Sequence, residues 1–127
     1  MRKNIVGLSV ITVAILCALG CSARIDKNYL GRYNDVTNPR NSIKLFDNGV
    51  CPVTANEDIR KFRCSIKDTT VTMQLIDGTD QQRQSFEYPE FRGVSATLTI
   101  DGSTLITQTG RRFVYVKDPS QSYGRDE

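Results

Sequence analysis

Apolar residues recur at every second position in a series of short runs along this chain, and no segment repeats them every 3.6 residues over three helical turns. The plainest run is Thr70-Val71-Thr72-Met73-Gln74-Leu75, with Val71, Met73 and Leu75 on one face and Thr70, Thr72 and Gln74 on the other. Such a strand buries one face and wets the other. Val94–Ile100 alternates in the same way, and Asp101-Gly102 joins it to Ser103–Thr107 as a hairpin. Ser42–Phe46 alternates up to Asp47-Asn48-Gly49, where the Asn-Gly step readily takes the positive φ angles of a tight turn, and Val50, Cys51 and Val53 begin the return strand. Tyr29–Tyr33, Phe62–Lys67, Ser85–Tyr88 and Arg111–Lys117 read as further strands. Pro52 has no N–H to give a ladder and is expected at an edge or bulge. The polar stretches Asn34–Asn41, Thr54–Arg60 and Asp77–Gln84 read as connections, with Asn56-Glu57-Asp58 closing one helical turn.

The predicted fold is all-β: a small antiparallel meander of about eight short strands, closing into a barrel or half-barrel. Its strands fall short of the roughly 9–11 residues, with a lipid-facing apolar band, that a membrane-spanning barrel requires.

The start of the chain has a different pattern. Arg2 and Lys3 precede an uncharged run from Asn4 to Leu19, followed by Gly20, Cys21 and Ser22. A basic end, an apolar core and small residues make a secretory signal. The run is interrupted by Gly7, Ser9 and Thr12 and is shorter than the roughly 20 residues of a membrane-crossing helix. Ala18-Leu19-Gly20-Cys21 resembles a bacterial lipobox, with Ala18 where that family usually has Leu. The resemblance implies that residues 1–20 are removed and that Cys21 carries diacylglycerol and an N-acyl chain. Ser22, in place of Asp, implies the outer membrane of a Gram-negative host. The expected organisation is a signal peptide at 1–20, a lipidated tether at 21–28, a β-domain at 29–117 and a disordered tail at 118–127. The tail carries Pro119, Ser120, Ser122 and Gly124 and no aliphatic apolar residue.

Taking residues 1–20 from the 127 leaves 107, enough for one domain with a modest core. Arg2 and Lys3 leave with the signal, so the formal charge falls from +3 to +1. That balance argues against nucleic acid as a partner, which needs a concentrated basic surface. The chain has no His, hence neither the usual proton shuttle at neutral pH nor the commonest metal ligand. Of its four cysteines, Cys17 leaves with the signal and Cys21 takes lipid. Cys51 and Cys64 remain, and outside the cytoplasm the simplest outcome is a disulfide between them. Two cysteines lack the further ligands of a zinc site. No metal and no cofactor is expected.

The order Gly31 and Tyr33, Asp47 and Gly49, Asp68 and Val71, Asp101 and Gly102, Leu105, then Tyr115–Lys117 resembles small envelope lipoproteins with a lipocalin-like or META-like β-meander. A lipocalin proper shows Trp where this chain has Tyr33. The resemblance implies a binding or accessory protein, and proteins of similar shape include lysozyme inhibitors and pilotins of secretion pores.

Candidate chemistry is thin. Glu87 and Glu90 flank Tyr88-Pro89, Asp77 and Asp80 bound a turn without the spacing of a calcium loop, and Ser65, Ser85 and Ser95 have no His to activate them. No catalytic residue is assigned. Tyr88, Phe91 and Arg92 around Pro89, and Arg111 and Arg112 at the start of the last strand, are the candidate contacts for an envelope protein partner, because Tyr and Arg are enriched at interfaces. The expected function is a non-enzymatic outer-membrane lipoprotein that faces the periplasm, is held to the membrane through Cys21 and binds a protein partner. A carrier of a small hydrophobic ligand and an inhibitor of a cell-wall hydrolase such as lysozyme are the alternatives.

Overall fold

The computed structural model describes residues 25–124. The signal segment, Cys21 and residues 125–127 lie outside them. Among the described residues the strands are β1 (Gly31–Asp35), β2 (Ser42–Leu45), β3 (Val50–Ala55), β4 (Asp58–Lys67), β5 (Thr70–Asp77), β6 (Ser95–Asp101), β7 (Thr104–Thr107) and β8 (Arg112–Val116). Each pairs antiparallel with the next and β8 pairs back onto β1, so the meander is a closed eight-stranded barrel. Closure gives every strand a neighbour on both sides and removes the long open edges that pair with another chain. The side chains that alternation places inward, among them Ile43, Leu45, Val53, Phe62, Val71, Met73, Leu98, Leu105 and Phe113, are buried, so the period-two pattern is the core pattern.

Cys51 and Cys64 form the expected disulfide, inside the barrel, with their Cα atoms 6.1 Å apart. It joins β3 to β4, but the segment it encloses differs from the expected polar loop. β3 runs to Ala55 and β4 starts at Asp58, so the connection is the two-residue turn Asn56-Glu57, in which Asn56 takes φ 58°. Asn tolerates this conformation at little steric cost. Pro52 sits beyond the last β2–β3 pair, Ile43 with Val53, where β3 has only β4 beside it. The barrel thus supplies the local edge that Pro52 needs.

Ser85–Tyr88 is not a strand. Residues 78–94, between β5 and β6, carry a helix α1 (Asp80–Ser85), capped by a reciprocal Thr79–Gln82 capping box, and a single 3-10 turn (Pro89–Phe91). Phe86 and Tyr88 do alternate with exposed Glu87, but they point into the barrel without any ladder partner.

Up-and-down order sorts the connections onto two poles. One pole gathers residues 36–41, 56–57, 78–94 and 108–111. The other gathers the N-terminal residues 25–30, three hairpin turns and residues 117–124. At this terminal pole the expected disorder after Lys117 gives way to packing. Tyr123 is buried and stacks on Phe46 with ring centroids 4.8 Å apart, and the Asp47 amide donates to the Tyr123 carbonyl at 3.1 Å. The residue that pins the strap is aromatic, so a search for aliphatic side chains misses it. Asp118 accepts from the Ser120 and Tyr123 hydroxyls, which hold its carboxyl down at about 2. Ile25 and Leu30 are also buried here, so part of the expected tether belongs to the folded domain. Gly31 takes φ 137°, and a Cβ on it would lie 2.5 Å from Tyr115 Cε1, so only glycine fits where the chain enters the barrel. Among the described residues no helix is long and apolar enough to cross a membrane.

Candidate functional site at the plugged pole

The two contact patches read from the sequence meet at the pole opposite the termini, mostly as interior. Tyr88 and Phe91 are fully buried and therefore cannot serve as contact residues. Their rings pack edge-on to Phe113, at 5.5 Å and 6.4 Å between centroids, and Phe91 also lies 6.0 Å from Phe62. Phe86 adds an edge contact to Tyr88 at 6.2 Å. Three aromatic side chains of one loop thus plug the barrel mouth. Burying aromatic rings of about 150–250 Å² each outweighs displaying them to water.

The plug is fastened by polar groups from several elements. The Tyr88 hydroxyl donates to Oδ2 of Asp35, at the end of β1, and the amide and hydroxyl of Thr37 donate to Oδ1 at 2.9 and 2.8 Å. Glu90 Oε2 accepts from Arg111 Nε at 3.0 Å and from the hydroxyls of Thr107 and Thr109, each at 2.9 Å. Arg111 also lies 3.9 Å from Asp35 Oδ2, and its guanidinium carbon sits 4.3 Å from the centre of the Tyr88 ring. One arginine therefore bridges two buried carboxylates and a phenol.

These contacts decide the protonation states. Burial alone would raise the Asp35 carboxyl, but the hydrogen bonds from Tyr88 and Thr37 and the charge of Arg111 bring it below its ordinary 3.8. Burial opposes ionisation of Glu90 too, and its own amide, Arg111, Thr109 and Thr107 hold it below 4.5. Tyr88 is pushed well above 10.0, first by burial and then by its bond to Asp35. Arg111 is raised by Glu90, which overcomes the opposing effect of burial. At neutral pH the cluster is two carboxylates, one guanidinium and a neutral phenol.

Arg60, expected in a polar connection, is the second fastener. It points inward from β4 and is 1% exposed. Its Nη1 donates to the Thr79 carbonyl at 3.2 Å, and Nη2 to the carbonyls of Arg92 and Gly93 at 3.0 and 3.3 Å. One side chain thus ties both ends of the plug loop to the wall. Burial, with the charge of Arg83 second, lowers its affinity for its proton. Arg92 is partly buried, and its Nε donates to the Phe86 carbonyl at 2.7 Å. Of the five residues proposed as contacts, Arg112 alone is exposed. It lines a shallow cleft of about 420 Å³ with Val36, Thr37, Thr109 and Gly110, floored by Asp35 and Arg111.

No family model, curated protein or solved structure matches this chain. The site therefore stands on its own geometry. Among the described residues no three His, Cys, Asp or Glu side chains gather as a metal site. The acids and bases of the plugged pole bond one another, which makes the cluster a fastening. Asp35 and Arg60 were missed because each stands in a polar stretch whose inward direction only the closed barrel reveals.

Proposed function

We propose that this chain is a non-enzymatic lipoprotein, anchored through Cys21 to the outer membrane and facing the periplasm, whose barrel wall binds a protein partner of the cell envelope. The observation that carries the reading is the aromatic plug. A barrel filled by its own Phe86, Tyr88 and Phe91 offers partners its outside, which favours an accessory binding role over a carried hydrophobic ligand. The terminal pole adds to this. Ile25 is already packed into the domain, so a lipid on Cys21 would be joined to the barrel by a span on the order of 14 Å, and that pole would stand against the bilayer. The plugged pole and the walls would remain accessible to other envelope proteins.

Labelling cells with radioactive palmitate, for the wild type and for Cys21→Ser, tests the anchor. Native mass spectrometry of the full-length protein released from envelopes tests the role. The reading expects a labelled wild type, an unlabelled variant that leaves the membrane fraction, and a complex with a second protein. A monomer carrying a small hydrophobic molecule would point to the carrier instead.

A further inference from the structure

The outer walls of the barrel are unlike one another. Between β5 and β6 the directly paired outward residues are uncharged: Thr70 with Thr99, Thr72 with Thr97, and Gln74 with Ser95. On β3 and β4 the outward pairs are Val50 with Arg63, Pro52 with Lys61, and Thr54 with Ile59. Lys44 of β2 faces Val50, Pro52, Thr54, Ile59 and Lys61 across a shallow groove of about 400 Å³, and Arg63 stands beside it on β4. Ile59 is 45% exposed, an unusual position for a large aliphatic side chain. Lys61 and Arg63 are exposed and, among the described residues, in no ion pair, although Asp77 of β5 stands opposite Lys61 in the ladder; Lys44 donates to Gln121 Oε1 at 3.2 Å. This wall is basic and apolar at once, on a chain whose charges otherwise nearly balance.

We propose that the β2–β3–β4 wall is a docking groove for an extended acidic segment of a protein partner, one with a carboxylate at every second position. This rests on the envelope-accessory reading and names the surface and the chemistry of its partner. Lys61 and Arg63 are two residues apart on one strand, so their side chains emerge about 6.6 Å apart. Successive same-side carboxylates of an extended peptide have the same spacing, the residues between them face away from the wall, and the methylenes of the acidic side chains would lie over Val50, Pro52 and Ile59. Charge complementarity selects an acidic occupant, and the apolar floor favours Glu, with its longer hydrocarbon stem, over Asp. A bilayer fits this surface less well, because the groove meets the terminal pole only at Phe46, Asn48 and Gln121 and runs from there along the side of the barrel to Ile59.

The test is a fluorescence-anisotropy titration of the purified full-length protein with the labelled peptide Glu-Val-Glu-Val-Glu, with Gln-Val-Gln-Val-Gln as its neutral counterpart. The proposal expects the acidic peptide to bind at least about tenfold more tightly than the neutral one. Lys61→Glu with Arg63→Glu should weaken it about tenfold, and the milder Lys61→Gln with Arg63→Gln should weaken it less. Lys67→Glu with Lys117→Glu makes the same change in net charge off the groove and should leave affinity within about twofold. Thermal melts of every variant confirm folding. Equal binding of the two peptides overturns the proposal, as does equal weakening by the two pairs of charge reversals. Capture by phosphatidylglycerol vesicles that the Lys61 and Arg63 reversals abolish, without effect on the peptide, would assign the wall to lipid. None of these readouts depends on acylation of Cys21, so a failed anchor and a failed groove are told apart.

Discussion

Asp35 and Glu90 are carboxylates 1% and 4% exposed, and burial on this scale is tolerated only where donors replace the lost water. Tyr88, Thr37, Thr107, Thr109 and Arg111 supply those donors from outside the strand or turn that carries each acid. Both groups have folded values below their ordinary 3.8 and 4.5, so the folded protein binds their protons less readily than the unfolded chain does. Their contribution is therefore complete above the ordinary values and is lost as pH falls through the lowered ones. Urea unfolding should give constant stability from neutral pH down to about pH 5.5 and a steep decline below about pH 4. Asp35→Asn with Glu90→Gln should be less stable at pH 7 and decline less steeply in acid; identical acid slopes would mean that the cluster is not ionised as described. Tyr88→Phe removes one donor from a buried carboxylate, and the same measurement at pH 7 should register a loss of about 1–3 kcal/mol.

Two elements decide what the barrel can do: the plug loop and the clasped β3–β4 hairpin. The hairpins were legible in the sequence because period-two runs flank Asn48-Gly49 and Asp101-Gly102, where turn chemistry and burial agree. Residues 58–60 were not legible, since a buried arginine held by three carbonyls looks, in sequence, like part of a solvated loop. The pattern at Ser85–Tyr88 misled for a related reason. Alternation reports which side chains are buried, and Phe86 and Tyr88 are buried by insertion into the barrel. Aromatic residues beside arginines read alike whether they face a partner or one another, so Tyr88 and Phe91 were placed on the surface, and their packing against Arg111, from a separate patch, was not legible. The disulfide was legible by cysteine count. It spans a sequence separation of 13, for which the chain-entropy account gives about 3 kcal/mol. Cys51→Ala with Cys64→Ala should lower the urea unfolding free energy by about that amount, and a change well under 1 kcal/mol would show that the tight Asn56-Glu57 turn already confines the unfolded hairpin.

At the scale of the molecule, the barrel has a terminal pole, a plugged pole, an uncharged hydroxyl wall and a basic, apolar wall. The C-terminal strap belongs to the first of these through Tyr123 and Asp118. Deleting residues 118–127 uncovers Phe46 and should cost on the order of 1–2 kcal/mol in the same unfolding assay, whereas an unchanged midpoint would make the strap an appendage. The account as a whole depends on the inside of the barrel being occupied by the chain's own aromatic loop, because that turns attention to the outer walls. The most direct measurement is a nuclear Overhauser spectrum of the protein in solution, assigned for its aromatic side chains. Cross-peaks from the Phe91 ring to the Phe62 and Phe113 rings, and from Tyr88 to Phe113, are the predicted result. A Phe91 ring with no cross-peaks to the barrel wall, in a loop whose amides exchange rapidly with solvent, would contradict it.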